Sequence, residues 1–272
     1  MCVRKLAFRA SVVFHRGVAS TPSAERLRQI TEAVREAGRI GVAELAGLTG
    51  ASEMTIRRDL ELLADQGVLE RYRGGARSLL LRGEEPPFAL RAQDGLDAKR
   101  RIAAEVAGLI SDGESVVLDS GTTCLEVARV LEHRRLTVMP LSLHAVHALT
   151  GAPRLTLLVP GGRPRPGELA LTGPLTLASL SALRFDTAVV GCCGLNAENG
   201  LTAYDLDDAA VKRTAIASAR RVVAVADAAK LSRTALAFVA PASALHAVVT
   251  DAAAPQEEID ALTAAGATVR SV

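Results

Sequence analysis

From Ser115 onward the chain repeats one theme: a short apolar run, a polar or glycine turn, then a stretch with helical spacing. This alternation limits the fold more than any other feature, because short buried strands joined by helical crossovers assemble into a mainly parallel sheet covered on both faces. The runs predict strands over 115–118, 136–139, 155–159, 187–190, 222–226, 247–250 and 268–271. Helices are expected over 124–131, 142–149, 205–218 and 256–265. A helix over 97–110, capped by Asp97 and facing inward through Ile102, Val106 and Leu109, opens the unit, so an α/β domain should span 97–272. Aromatic residues are 3% of the chain and Trp is absent, so Leu, Val and Ala must fill its cores.

The first third reads differently. Leu27, Ile30, Val34 and Ala37 make an inward stripe on a helix over 23–37 that Gly38 ends. A short apolar helix over 42–49 and the small turn Gly50-Ala51 lead to Ser52, a good N-cap for a helix whose Ile56, Leu60 and Leu63 share one face. Thr55, Arg57 and Arg58 fall on other faces, where a hydroxyl and two guanidiniums can meet phosphates and guanine acceptors. These pieces form a helix-turn-helix. Behind it, Gly67-Val68-Leu69 and Glu70 to Ala76 read as two extended runs of a basic wing carrying Arg71 and Arg73. Residues 1–82 hold 14 Lys+Arg against 9 Asp+Glu, while the remainder holds 18 against 21. The basic excess lies with the candidate reading helix, and it is modest enough that a homo-oligomer, dimer or tetramer, is expected to gather the phosphate contacts.

Residues 1–21 are expected to be a disordered extension, 22–78 the winged helix-turn-helix, and 79–96, with Gly83 and Pro86-Pro87 and no sustained period, a linker. No apolar run approaches the length needed to span a bilayer, so no membrane partner is expected. Cys2, Cys124, Cys192 and Cys193 lack metal-ligand spacing and read as thiols in a reducing cytoplasm, with no metal or cofactor implied.

The first strand of the α/β unit ends in Asp119-Ser120-Gly121-Thr122-Thr123, where a glycine turn, hydroxyls and the amides of a helix start suit a phosphate. A plain strand-to-helix turn favours the same residues. Further glycines close later strands, at Gly161-Gly162 and from Gly191 to Gly194, with Gly200 beyond. Lys212, Asp227 and Lys230 follow, and together these suggest a shared cleft at the strand ends holding a sugar phosphate by charge and hydroxyl hydrogen bonds.

The run from Val42 to Ala76, with its TIRRDL, Gly-Val-Leu step and arginine-flanked GGA, closely resembles the DNA-binding domain of the DeoR family of bacterial transcription regulators, mostly repressors of sugar metabolism. The rest follows in order: the Asp119–Thr123 loop, Gly161-Gly162, the strand and loop from Asp186 to Gly194, Gly200, Lys212 and the turn from Asp227 to Lys230. The resemblance covers about 22–251. It implies an effector domain similar to ribose-5-phosphate isomerase and CoA transferases, double-stranded operator DNA as one partner, and a phosphorylated sugar as the other. It implies DNA contacts at Ser52, Met54, Thr55, Arg57, Arg58, Arg71 and Arg73. Effector contacts are implied at Asp119, Ser120, Gly121, Thr122, Thr123, Ser142, Gly161, Gly162, Gly194, Lys212, Asp227 and Lys230. Where many members carry Thr-Asn-Ser, this chain has Pro140-Leu141-Ser142, which loses an amide and leaves only Ser142 to carry over. Two other readings stay open. One is a sugar-phosphate isomerase fused to a DNA reader, with Asp205, Asp207 or Asp208 as base and Lys212 as partner. The other is a regulator with a degenerate pocket.

Overall fold

The structure, a computed structural model, describes residues 22–65, 68–78 and 86–272, so the expected extension at 1–21 and the first part of the expected linker, 79–85, lie outside the described residues. The amino-terminal unit runs α1 (Pro22–Ala37), β1 (Arg39–Gly41), α2 (Val42–Thr49), α3 (Glu53–Asp65), β2 (Leu69–Tyr72) and β3 (Gly75–Ser78). Leu27, Ile30 and Val34 of α1, Leu45 of α2 and Ile56, Leu60 and Leu63 of α3 close one core, so the predicted helical stripes are the faces that pack, except that Ala37, expected to extend the α1 stripe, is exposed at the helix end. The wing has three strands, in order β1-β3-β2, one more than the two runs legible in the sequence. Gly75 lies so close to its neighbours that an added Cβ would sit 2.5 Å from the Tyr72 hydroxyl.

A short helix, α4 (Phe88–Gln93), stands inside the stretch expected to be linker. Leu90 packs against the reading core, and Phe88 stacks on the His144 ring of the second unit with centroids 4.0 Å apart. Arg91 pairs with Glu168. Six residues are too few to show a helical period, and these contacts are what hold the segment in place.

The second unit continues with α5 (Leu96–Leu109), β4 (Ser115–Leu118), α6 (Thr122–Leu131), β5 (Thr137–Pro140), α7 (Leu143–Leu149), β6 (Thr156–Leu157), β7 (Arg163–Pro164), β8 (Leu171–Thr172) and α8 (Pro174–Ser181). After these come β9 (Phe185–Gly191), β10 (Gly194–Asn196), β11 (Gly200–Ala203), α9 (Leu206–Ala217), β12 (Ala219–Val225), β13 (Ala237–Ala240), β14 (Ala247–Thr250), α10 (Gln256–Ala264) and β15 (Thr268–Ser271). Seven strands form one sheet, in order β15-β14-β12-β9-β4-β5-β6, and every pairing in it is parallel. Side chains alternate through it. Val116, Leu118, Val189, Val223 and Val225 pack with α5, α6 and α7, while Val117, Ala188, Val190, Val222 and Ala224 face the core that α9 covers. A satellite antiparallel sheet, β10-β11-β13, was not expected. From β4 the chain winds outward to β5 and β6, then returns to β9 on the other side of β4 and winds away through β12, β14 and β15. The reversal between β4 and β9 is a topological switch point, where loops part and a ligand crevice opens.

Candidate effector cleft and DNA-reading surface

A cleft of about 360 Å3 opens at that switch point. Its floor is the β4–α6 turn. Gly121 has φ 98°, a conformation side-chain-bearing residues rarely adopt, and it swings the chain so that α6 begins at Thr122 facing the cleft. Ser120, Gly121, Thr122 and Thr123 all line the opening, as do Lys212, Asp227 and Lys230.

Asp119 lies just beneath, 1% exposed, and acts as a rivet across the switch point. Its Oδ1 accepts from the Ser120 amide at 2.7 Å, and its Oδ2 accepts from the Gly191 amide at 2.9 Å and from Lys212 Nζ at 2.6 Å. Lys212 also pairs with Asp208 Oδ2 at 3.1 Å, one turn earlier on α9, whose N-cap is Asp205. Burial opposes the Lys212 ammonium, yet Asp119 and Asp208 more than offset it and hold its pKa well above the usual lysine value. The lysine is therefore a fixed cation at the cleft, not a solvated surface side chain. Asp227 adds an acceptor: among the described residues its Oδ1 is buried without a hydrogen-bond partner. Cys192 and Cys193 line the cleft as well, and burial pushes the Cys192 thiol up, away from nucleophilic character.

Besides Asp119 beneath the floor, four residues implied by the resemblance are not among those lining this cleft. Ser142 is 2% exposed and caps α7, accepting from the Ala145 amide at 3.2 Å. The preceding Pro140 and Leu141 belong to the β5 edge of the core, with the Leu141 amide donating to the Leu118 carbonyl at 2.8 Å. The Gly161 carbonyl accepts from Thr176 Oγ1 at 2.7 Å, and at Gly162 a Cβ would overlap that hydroxyl and lie 2.8 Å from the Thr172 carbonyl oxygen. At Gly194 a Cβ would sit 2.5 Å from the Arg233 carbonyl oxygen. Capping accounts for Ser142, and close packing for Gly162 and Gly194.

The cleft also contains residues that sequence reasoning did not assign to it: Arg91, Lys99, Arg165, Glu168 and Arg233, together with Arg28, Glu32 and Arg35 of α1. Lys99 is 3% exposed, and its ammonium donates to the Arg91 and Asp94 carbonyls. Burial lowers its pKa. The one signal that pointed this way was positional: Lys99 lies three residues before Ile102, one turn earlier on the inward face of α5.

On the reading unit, Ser52 caps α3 as expected, accepting from the Thr55 amide at 3.2 Å. Arg57 and Arg58 are exposed, Met54 is 60% exposed, and Arg57 pairs with Glu53 along the helix at 2.9 Å. Arg73 is exposed at the wing turn, and Arg71 reaches Glu61 at 3.3 Å. Asp59, on the buried side of α3, accepts from Arg26 Nε of α1 at 2.6 Å, locking the two helices together. Among the described residues no helix is long and apolar enough to cross a membrane.

A helix-turn-helix reader joined to an α/β unit with a polar switch-point cleft defines a two-domain, ligand-sensing DNA-binding regulator. A family model described as the DeoR-like helix-turn-helix domain matches residues 26–80, and one described as the DeoR C terminal sensor domain matches residues 95–252. The chain belongs to the DeoR family of transcription regulators. It is 30% identical to a putative aga operon transcriptional repressor of Escherichia coli O157:H7, over 92% of this chain and 94% of that protein. It is 31% identical to the glycerol-3-phosphate regulon repressor of Escherichia coli K12, over 88% of this chain and 95% of that protein. Among solved structures, a ribose 5-phosphate isomerase from Methanocaldococcus jannaschii matches 51% of this chain and 55% of its own, with TM-score 0.39 and 18% identity.

Proposed function

We propose that the protein represses a carbohydrate-metabolism operon and that a phosphorylated sugar in the switch-point cleft controls it. The observation that carries this reading is the combination, in one cleft, of a Gly121 turn at a helix start, a fixed Lys212 cation and an unpaired Asp227 acceptor. Amides, hydroxyls and the ammonium suit a phosphate, and the carboxylate suits sugar hydroxyls. The names of the relatives, a glycerol-3-phosphate regulon repressor and an aga operon repressor, support the same ligand class.

On this reading the residues that hold the effector are Ser120, Gly121, Thr122, Thr123, Lys212, Asp227 and Lys230, with Asp119 setting the lysine in place. Operator DNA is read by Thr55, Arg57 and Arg58, while Ser52, Met54, Arg71 and Arg73 lie against the duplex. The protein works in the cytoplasm as a homo-oligomer. Leu206, Leu236 and Phe238, on α9 and around the satellite-sheet strand β13, are 66%, 82% and 54% exposed and supply an apolar face for a second copy. The protein senses its ligand without turning it over. Of the three carboxylates that the sequence offered as a base, Asp205 caps α9, Asp207 pairs with Arg163 at 3.6 Å at the surface, and Asp208 is bound to Lys212. A thermal-shift panel of phosphorylated sugars tests the reading, since a ligand at about 100 times its Kd should add about 2.7 kcal/mol of stability. Stabilisation by the free sugars alone, or by no compound, would refute it.

A further inference from the structure

The cleft has walls from two different units. The loop at Ser120–Thr123 and Lys212 belong to the sensor, whereas Arg28, Glu32 and Arg35 belong to α1 of the DNA reader. Positions 28, 32 and 35 recur at helical spacing and share one face of α1, while Leu27, Ile30 and Val34 on its other side are buried in the reading core. The helix that walls the cleft is thus the helix on which α3 rests. The ion pair from Arg26 to Asp59 makes the connection rigid. Glu32 pairs with Arg35, Glu168 with Arg91 and Asp208 with Lys212, yet cations still outnumber carboxylates around the cleft, and the buried Lys99 ammonium is met by neutral carbonyl oxygens, so the assembled walls favour an anion between them.

We propose that Arg28 and Arg35 are effector-binding residues, so that the anionic group of the ligand is clasped between the reader and the sensor. This rests on the phosphosugar reading and adds its regulation. A ligand that gains two guanidinium contacts only when α1 is seated against the sensor binds that arrangement more tightly than one with the reader swung away. By linkage it must then change operator affinity. The seat is shaped by α4, whose Leu90 packs on the reader while Phe88 and Arg91 engage the sensor.

The test uses the full chain and three variants, R28A/R35A, R28K/R35K and K212M, with glycerol 3-phosphate, ribose 5-phosphate, fructose 1-phosphate and fructose 6-phosphate as probes. Binding is read by thermal shift, and the operator response by fluorescence anisotropy on DNA selected by the protein from a random pool. The expected result is that R28A/R35A needs at least tenfold more of the stabilising compound than the parent and loses most of its operator response, with R28K/R35K between the two. Its ligand-free operator affinity should stay within about twofold of the parent's, because this face of α1 is turned to the sensor. Parental effector affinity in R28A/R35A, with binding lost in K212M, would overturn the α1 wall and leave the phosphosugar reading standing. No stabilisation of the parent by any probe would defeat that reading and this inference with it.

Discussion

Replacing Lys212 by Met keeps most of the side-chain volume and removes the charge. In the protein Nζ lies 2.6 Å from Asp119 Oδ2 and 3.1 Å from Asp208 Oδ2, and the three side chains are 4%, 1% and 7% exposed. The variant leaves two buried carboxylates facing each other with no cation between them. Removing one partner of a buried ion pair costs about 3–5 kcal/mol, and that is the loss expected at pH 8. The loss should shrink in acid. Two carboxylates sharing a proton have a folded-state pKa raised above the unfolded aspartate value of about 3.9. The stability tied to that proton is fully present below the unfolded value and disappears as pH rises through the raised one. Urea unfolding of parent and K212M, followed by circular dichroism of the sensor transition at pH 5 and pH 8, measures the difference. Adding Asp208→Asn to K212M should recover part of the loss at pH 8 by removing the like charge. A loss under about 1 kcal/mol, equal at both pH values, would refute a desolvated triad.

Arg58→Ala should weaken operator binding by about 1–3 kcal/mol, roughly five- to 150-fold by anisotropy, and leave the melting temperature nearly unchanged. Unaltered affinity would remove α3 from the groove. Asp59→Ala strips Arg26 of its carboxylate and should destabilise the reader by about 1.5–3 kcal/mol, visible in its own unfolding transition. Gly162→Ala should cost about 1–3 kcal/mol of sensor stability, because φ is 134° and the new methyl would press on the Thr172 carbonyl. If effector affinity fell while stability held, Gly162 would belong to the ligand site after all. Operator affinity should drop steeply between 50 and 200 mM salt, with a slope that becomes shallower by about one in any variant losing a phosphate contact.

The sheet was legible because each strand is short, apolar and punctuated. The expected strands at 115–118, 247–250 and 268–271 coincide with β4, β14 and β15. Ser52 and the Ile56, Leu60 and Leu63 face were legible for the same reason, since capping and helical spacing are local properties. What was not legible depends on contacts far apart in the chain. Lys212 and Asp119 are 93 positions apart, and nothing local separates a lysine buried on carboxylates from one in solvent. The same holds for Arg28 and Arg35, whose helix reads simply as an amphipathic first helix of the reader. Glycines carry two meanings at once: Gly161, Gly162 and Gly194 lie near strand ends, as ligand loops do, and close packing alone also calls for glycine at Gly162 and Gly194. The satellite strands β10, β11 and β13 pair antiparallel in a sheet of their own, with β11 joined to β13 across more than thirty residues, a pairing that no local pattern announces.

Titrating phosphorylated sugars into a complex of the full chain with its selected operator, for the parent and for K212M, joins the cleft to the DNA in one experiment. At least one sugar phosphate should shift the operator Kd of the parent by fivefold or more while leaving K212M unmoved. An operator Kd indifferent to every sugar phosphate, or one that shifts equally in both proteins, would mean that the switch-point cleft does not govern the reader.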